Sequence, residues 1–159
     1  MARRSPRNGA IQHVPAPSQY SSLDGAKDTV QGPGENVTQS VAWNGSARVR
    51  WRRDGAAFEL WLNEVTSQAR VYKQTLDQFF RRDFRDWRPQ WGDFAVEIRV
   101  ELNPAFPKID LDNIAKAVLD GVKGALFFDD SQVARLLVER KVAETEGLFI
   151  RVYKLDAPE

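Results

Sequence analysis

The sequence predicts an α+β domain: a mixed β-sheet with two main helices, in the order β-β-α-β-α-β-β, after a flexible N-terminal tail over residues 1–37. Three observations carry this expectation. Phe94, Val96, Ile98, Val100 and Leu102 alternate with Ala95, Glu97, Arg99 and Glu101, the period-two pattern of a strand with one buried face. Ala69, Tyr72, Leu76, Phe79, Phe80 and Phe84 recur at helical spacing, with Arg70, Lys73, Arg81, Arg82 and Arg85 opposite them. The 159 residues, 42% of them apolar, suffice for one core, and no apolar run approaches the roughly 18–20 residues of a membrane span.

The elements follow in chain order. Residues 1–37 hold Pro6, Pro15, Pro17 and Pro33 among several glycines and show no apolar periodicity, which reads as a tail. Its basic start is followed by no apolar stretch, which argues against a secretory signal. The folded domain is expected over 38–159. Residues 47–62 read as a hairpin: Val49 and Trp51 alternate with arginines, Asp54-Gly55 is a turn signal, and Phe58, Leu60 and Leu62 alternate on the return strand. A helix follows to Phe84, with Thr66 or Ser67 as its cap. After the strand Phe94–Leu102, Asn103-Pro104 breaks the chain, and a second helix is expected over Asp112–Gly124 with Ile114, Ala117, Val118 and Gly121 buried. Strands over Val133–Glu139 and Leu148–Leu155 complete the order.

Composition narrows the chemistry. With no cysteine there is no disulfide, thiolate metal site or cysteine nucleophile, and the single histidine, His13, lies in the tail. Any catalysis therefore falls to carboxylates with lysine or arginine, groups suited to a hard cation such as magnesium. Charge is uneven: residues 1–57 carry eight basic and four acidic residues, whereas residues 110–159 carry seven and ten. An acidic C-terminal third beside basic segments fits a carboxylate metal site flanked by phosphate-binding cations.

The informative stretch is Asp110-Leu111-Asp112-Asn113-Ile114-Ala115-Lys116, where an extended segment enters a helix. Residues two apart in an extended segment point the same way, so Asp110 and Asp112 can face one ligand. Lys116 lies one turn beyond Asp112 on the same side. A second pair, Asp129-Asp130, follows Phe127-Phe128 at the start of a strand. Three or four carboxylates converging on one point would raise one another's pKa values, a repulsion that a divalent metal relieves. Each residue also has an ordinary explanation: Asp112 as a helix cap, Lys116 and Asp120 as an ion pair, Asp129-Asp130 as a turn. Their concentration in one 23-residue span, 110–132, favours a shared role.

The pattern Asp110-Leu111-Asp112-Asn113-Ile114-x-Lys116-Ala117-x-x-Asp120, followed by Asp129-Asp130-x-Gln132-Val133, resembles the RusA-like Holliday junction resolvases, endodeoxyribonucleases of phages and bacteria. The resemblance implies a homodimer that cuts paired strands of a four-way junction, or other branched DNA, in the bacterial cytoplasm. It implies magnesium as cofactor, with manganese a substitute. The family's metal-binding aspartates fall on Asp110, Asp112 and Asp130, and its essential lysine on Lys116. Asp129 is then expected to make outer contacts and Asp120 to orient Lys116. Arg70, Lys73, Arg81, Arg82 and Lys108 are the candidate DNA contacts. Two alternatives stand beside this. A metal nuclease with an Asp…Glu-x-Lys motif would rest on Glu97-Ile98-Arg99, which lacks the lysine. A non-catalytic module binding branched DNA or protein would use the acidic cluster structurally.

Overall fold

The computed structural model describes residues 41–45 and 48–156. The expected tail over 1–37 lies outside the described residues, as does the start of the expected hairpin. The elements run β1 (Asn44–Gly45), β2 (Val49–Asp54), β3 (Ala57–Leu62), α1 (Ala69–Asp83), β4 (Phe94–Leu102), α2 (Leu111–Val122), a 3₁₀ turn (Asp130–Gln132), β5 (Val133–Val142) and β6 (Gly147–Lys154). They form one six-stranded mixed sheet in the order β1-β2-β3-β6-β4-β5. The α+β class and the order of elements are as the sequence predicts, with the two-residue β1 added.

The β2–β3 hairpin closes on a two-residue loop, Gly55-Ala56, because Asp54 pairs with Ala57. Gly55 takes φ +59°, the left-handed conformation that glycine adopts without steric cost. α1 starts later than the sequence suggests. Neither Thr66 nor Ser67 caps it; Gln68 occupies the cap position. Thr66 instead closes a local turn: its Oγ1 accepts from the Gln68 N–H at 3.0 Å, and its main chain both donates to and accepts from the buried Tyr72 hydroxyl. β5 continues three residues past Glu139, because main-chain pairing with β4 runs to Leu102↔Val142.

Both helices pack on one face of the sheet. Tyr72, Leu76 and Phe79 of α1 and Ile114, Val118 and Val122 of α2 join Leu60, Leu62, Val96, Ile98, Val100, Leu148 and Ile150 in a single core. The opposite face is polar and aromatic, as alternation requires. There the buried Glu59 carboxylate takes Arg52 at 2.5 Å and Arg151 at 3.6 Å, which compensates its desolvation. β4 pairs antiparallel with β6 and parallel with β5. A parallel neighbour demands a crossover, and α2 is that crossover. Phe94 stands level with Val133, so the chain leaving β4 returns along its full length before β5 begins.

The helices approach closely at Gly121, where an added Cβ would meet Leu76 Cβ and Cδ1 at 2.9 Å and Lys73 Cα at 3.3 Å. Gly121→Val should therefore force α1 and α2 apart and lower unfolding stability by about 1–3 kcal/mol. A urea denaturation midpoint equal to that of the unmodified chain would refute this account of the helix contact.

Candidate active site

The first half of the site is the N-terminus of α2. Asp110 occupies the cap position in an extended conformation, yet its side chain makes no capping bond. Asp110 Oδ2 accepts from Asn113 Nδ2 at 2.7 Å. The Asp110 and Asp112 carboxyl groups lie close enough to influence each other. That contact holds Asp110 above the ordinary carboxylate range and Asp112 below it. Two exposed carboxyl groups this close form a locus of negative charge that a cation would stabilise. Lys116 is exposed one turn along α2 and makes no ion pair or hydrogen bond among the described residues. Its ammonium is free to meet an anion.

The second half lies at the other end of α2. Lys123 is the C-cap, and the chain turns through Gly124, at φ +81°, whose N–H donates to Phe127 O at 2.7 Å. Asp129 caps the 3₁₀ turn, accepting from the Ser131 N–H at 3.0 Å, and that bond lowers its pKa. Its observed role is thus to fix the turn that carries Asp130. Asp130 Oδ2 takes Lys123 Nζ at 3.3 Å, and Lys123 also reaches Asp120 at 3.6 Å. The bond to Asp130 raises the Lys123 pKa, with Asp120 adding to it. The sequence reading assigns Asp120 to Lys116; the structure pairs Asp120 with Lys123 instead.

Gln132 holds this half together. Its Oε1 accepts from the Phe128 and Asp129 N–H groups at 2.8 and 3.1 Å. Its Nε2 donates to Gln90 O and Gly92 O at 3.0 and 2.9 Å. One buried amide thus fastens the Asp130 turn to the segment entering β4. Sequence reasoning missed both Lys123 and Gln132 as site residues. The three-residue spacings from Asp120 to Lys123 and from Asp129 to Gln132 were usable signals, but the Gln132 partners Gln90 and Gly92 lie about 40 residues away and could not be read locally.

The two halves do not meet within one chain. Residues 112 to 123 span eleven helical steps, about 16 Å at 1.5 Å per residue. Among the described residues no three His, Cys, Asp or Glu side chains are grouped to hold a metal ion. The expected convergence of Asp110, Asp112 and Asp130 is therefore absent from the single chain. The donors themselves suit a hard cation. All are carboxylate oxygens, and Asp130 Oδ1 is shielded from solvent with no hydrogen-bond partner. A buried oxygen left this way is costly, and a bound cation would satisfy it.

The cations sort by their partners. Lys73 is bound to Asp77 and Arg82 to Asp83, each at 2.9 Å, while Arg70 and Lys108 are exposed and unpaired among the described residues. Arg81 and Arg85, also without side-chain partners there, line two adjoining grooves beside the C-terminal end of α1. The second groove also contains Arg88 and Lys123, and so extends to the partner of Asp130.

Among known proteins, the family model described as Endodeoxyribonuclease RusA matches residues 41–153. No curated protein matches the chain significantly.

Replacing Gln132 by Leu removes all four of its hydrogen bonds and leaves main-chain groups unpaired beside the Asp130 turn. Stability should fall by about 2–4 kcal/mol, measured by chemical denaturation. A loss under about 0.5 kcal/mol, the level of ordinary surface substitutions, would show that the amide does not hold the turn.

Proposed function

The chain belongs to the Endodeoxyribonuclease RusA family, and from that premise we propose that it resolves four-way (Holliday) DNA junctions, or related branched DNA, by magnesium-dependent paired phosphodiester hydrolysis in the bacterial cytoplasm. The observation that carries the reading is the Asp110–Asp112 pair, two exposed carboxyls brought close enough to perturb each other at a helix N-terminus. Asp110, Asp112 and Asp130 would hold the magnesium, with manganese a substitute. When bound, the metal would help activate the water nucleophile at neutral pH and offset charge on the phosphate as a Lewis acid.

The remaining roles fall to the chain. Lys116, unpaired and exposed, meets the negative charge that develops on the phosphate in the transition state. Gln132 and Asp129 hold the Asp130 turn rigid, so that the carboxylate is placed before substrate arrives. Lys123 pairs with both Asp130 and Asp120 and offsets part of their charge. Exposed cations on α1, with Lys108, contact the DNA backbone.

Because α2 separates Asp110 and Asp112 from Asp130, the proposal places the complete ligand set across a homodimer. One copy gives Asp110 and Asp112, and the other gives Asp130. Two-fold symmetry then yields two equivalent sites, which suits paired nicks on the two sides of a junction.

Subunit mixing tests this directly. Asp112→Asn and Asp130→Asn alone should each lose at least about 10²–10³ in nicking rate on a synthetic junction, the scale of losing one transition-state contact. After subunit exchange, heterodimers keep one intact composite site, so the mixture should recover roughly a quarter of wild-type nicking. A mixture no more active than either variant would place all ligands in one chain. A wild type that binds the junction but cuts nothing with magnesium or manganese would sink the enzyme and leave the binding module.

Backbone contacts have their own signature. Replacing Arg81 and Arg85 together by Gln should reduce the slope of log affinity against log salt by about 2, near 0.9 per lost phosphate contact. An unchanged slope in a fluorescence-anisotropy salt titration would remove these arginines from the interface.

A further inference from the structure

Beside the Asp130 turn stands an aromatic pair that the hydrolytic site does not use. Trp91 is 70% exposed and Phe128 42%, and their rings stack with centroids 4.3 Å apart and planes 24° from parallel. Tryptophan is among the residues buried most on average. The other four tryptophans, Trp43, Trp51, Trp61 and Trp87, are all partly buried.

The local backbone explains the exposure. Phe127 turns inward and is completely buried in the core, which sends Phe128 outward. Gln90 pairs with Phe127 across an isolated bridge, and its N–H donates to Leu126 O at 3.1 Å. Gly92 follows Trp91 at φ +116°. The Gln132 amide bonds both flanking backbones, donating to Gly92 O and accepting from the Phe128 N–H. The side chain that fixes the Asp130 turn therefore also fixes the two rings. They form a rigid apolar surface two residues from a proposed metal ligand.

We propose that the Trp91–Phe128 pair is a stacking platform for a nucleobase freed at the branch point of the DNA. The proposal rests on the nuclease reading of the neighbouring site. Stacking of a base on an aromatic ring is worth about 1–3 kcal/mol and tolerates any base. In an intact duplex each base is already stacked on its neighbours, and freeing one costs a few kcal/mol. A branch point offers bases with part of that cost removed. The platform thus favours branched over linear DNA without reading sequence, and it ties the capture of one base to the placing of the adjacent phosphate near Asp130.

The experiment uses the full chain as wild type, Trp91→Ala and Trp91→Phe. A four-way junction carries 2-aminopurine beside the nicked position. Wild type should change the 2-aminopurine fluorescence on binding in EDTA, and Trp91→Ala should not. Single-turnover nicking at saturating Trp91→Ala should fall about 5- to 100-fold, the equivalent of the stacking free energy, with Trp91→Phe recovering most of it. Thermal unfolding and sedimentation of Trp91→Ala should match wild type. Equal nicking and an equal fluorescence response in Trp91→Ala would overturn the platform. A shift of Trp91→Ala from dimer to monomer would also overturn it, by assigning the rings to contact with a second copy. Wild type that gives the Trp91-dependent fluorescence change but no nicks would support the platform and reject the nuclease. No binding at all would reject both.

Discussion

The parallel pairing of β4 with β5 is the constraint on which the rest of this structure depends. Antiparallel neighbours can be joined by a short turn at one edge, but parallel neighbours require the chain to travel back along the strand it has just left. With Phe94 level with Val133, that return is nearly the whole length of β4. α2 covers most of it in twelve residues. The proposed metal ligands and Lys116 lie on this crossover or at its ends. Asp110 and Asp112 mark where the helix starts; Lys123 and Asp130 mark where it gives way to β5.

The same constraint explains how the ends are built. The start of α2 faces solvent, so its two carboxylates stay exposed and lie close to each other. The far end must rejoin the sheet, so it is tightly bound. Lys123 and Gln90 bridge to Phe127, Gln132 reaches back across β4's entry, and Phe127 anchors the turn in the core. That end trades freedom for rigidity, which is what a carboxylate held ready for a ligand requires. Among the described residues there, the shielded Asp130 Oδ1 has no hydrogen-bond partner.

Local pattern carried much of this into the sequence. β4 was legible because its alternation is strict and one face is wholly buried, and the run of α1 was legible from its aromatic stripe. The start of α1 was not, because Thr66 is engaged by Tyr72 and Gln68 in a turn that composition cannot distinguish from a cap. The end of β5 was not, because main-chain pairing carries Arg140 and Lys141 into the strand whatever their side chains prefer. Both acid pairs could be read from spacing alone. Their separation could not, since it is set by the register of two strands about 40 residues apart. The tie from Gln132 to Gln90 and Gly92 is hidden for the same reason.

A split ligand set has a physical consequence that a compact one lacks. On the proposed reading, an isolated chain offers a metal only two carboxylates at one end of α2 and one at the other. Neither group alone matches the six oxygen ligands that magnesium demands without retaining most of its water. Affinity for the metal is then linked to self-association: whatever stabilises the pair of chains also completes the ligand set, and the metal stabilises the pair in return. On that reading a chain made this way would be a poor nuclease alone and would become one with two sites at a fixed spacing when paired. The rigid turn and the cations beside it then only need to present the strand, because the assembly has already decided where the chemistry takes place.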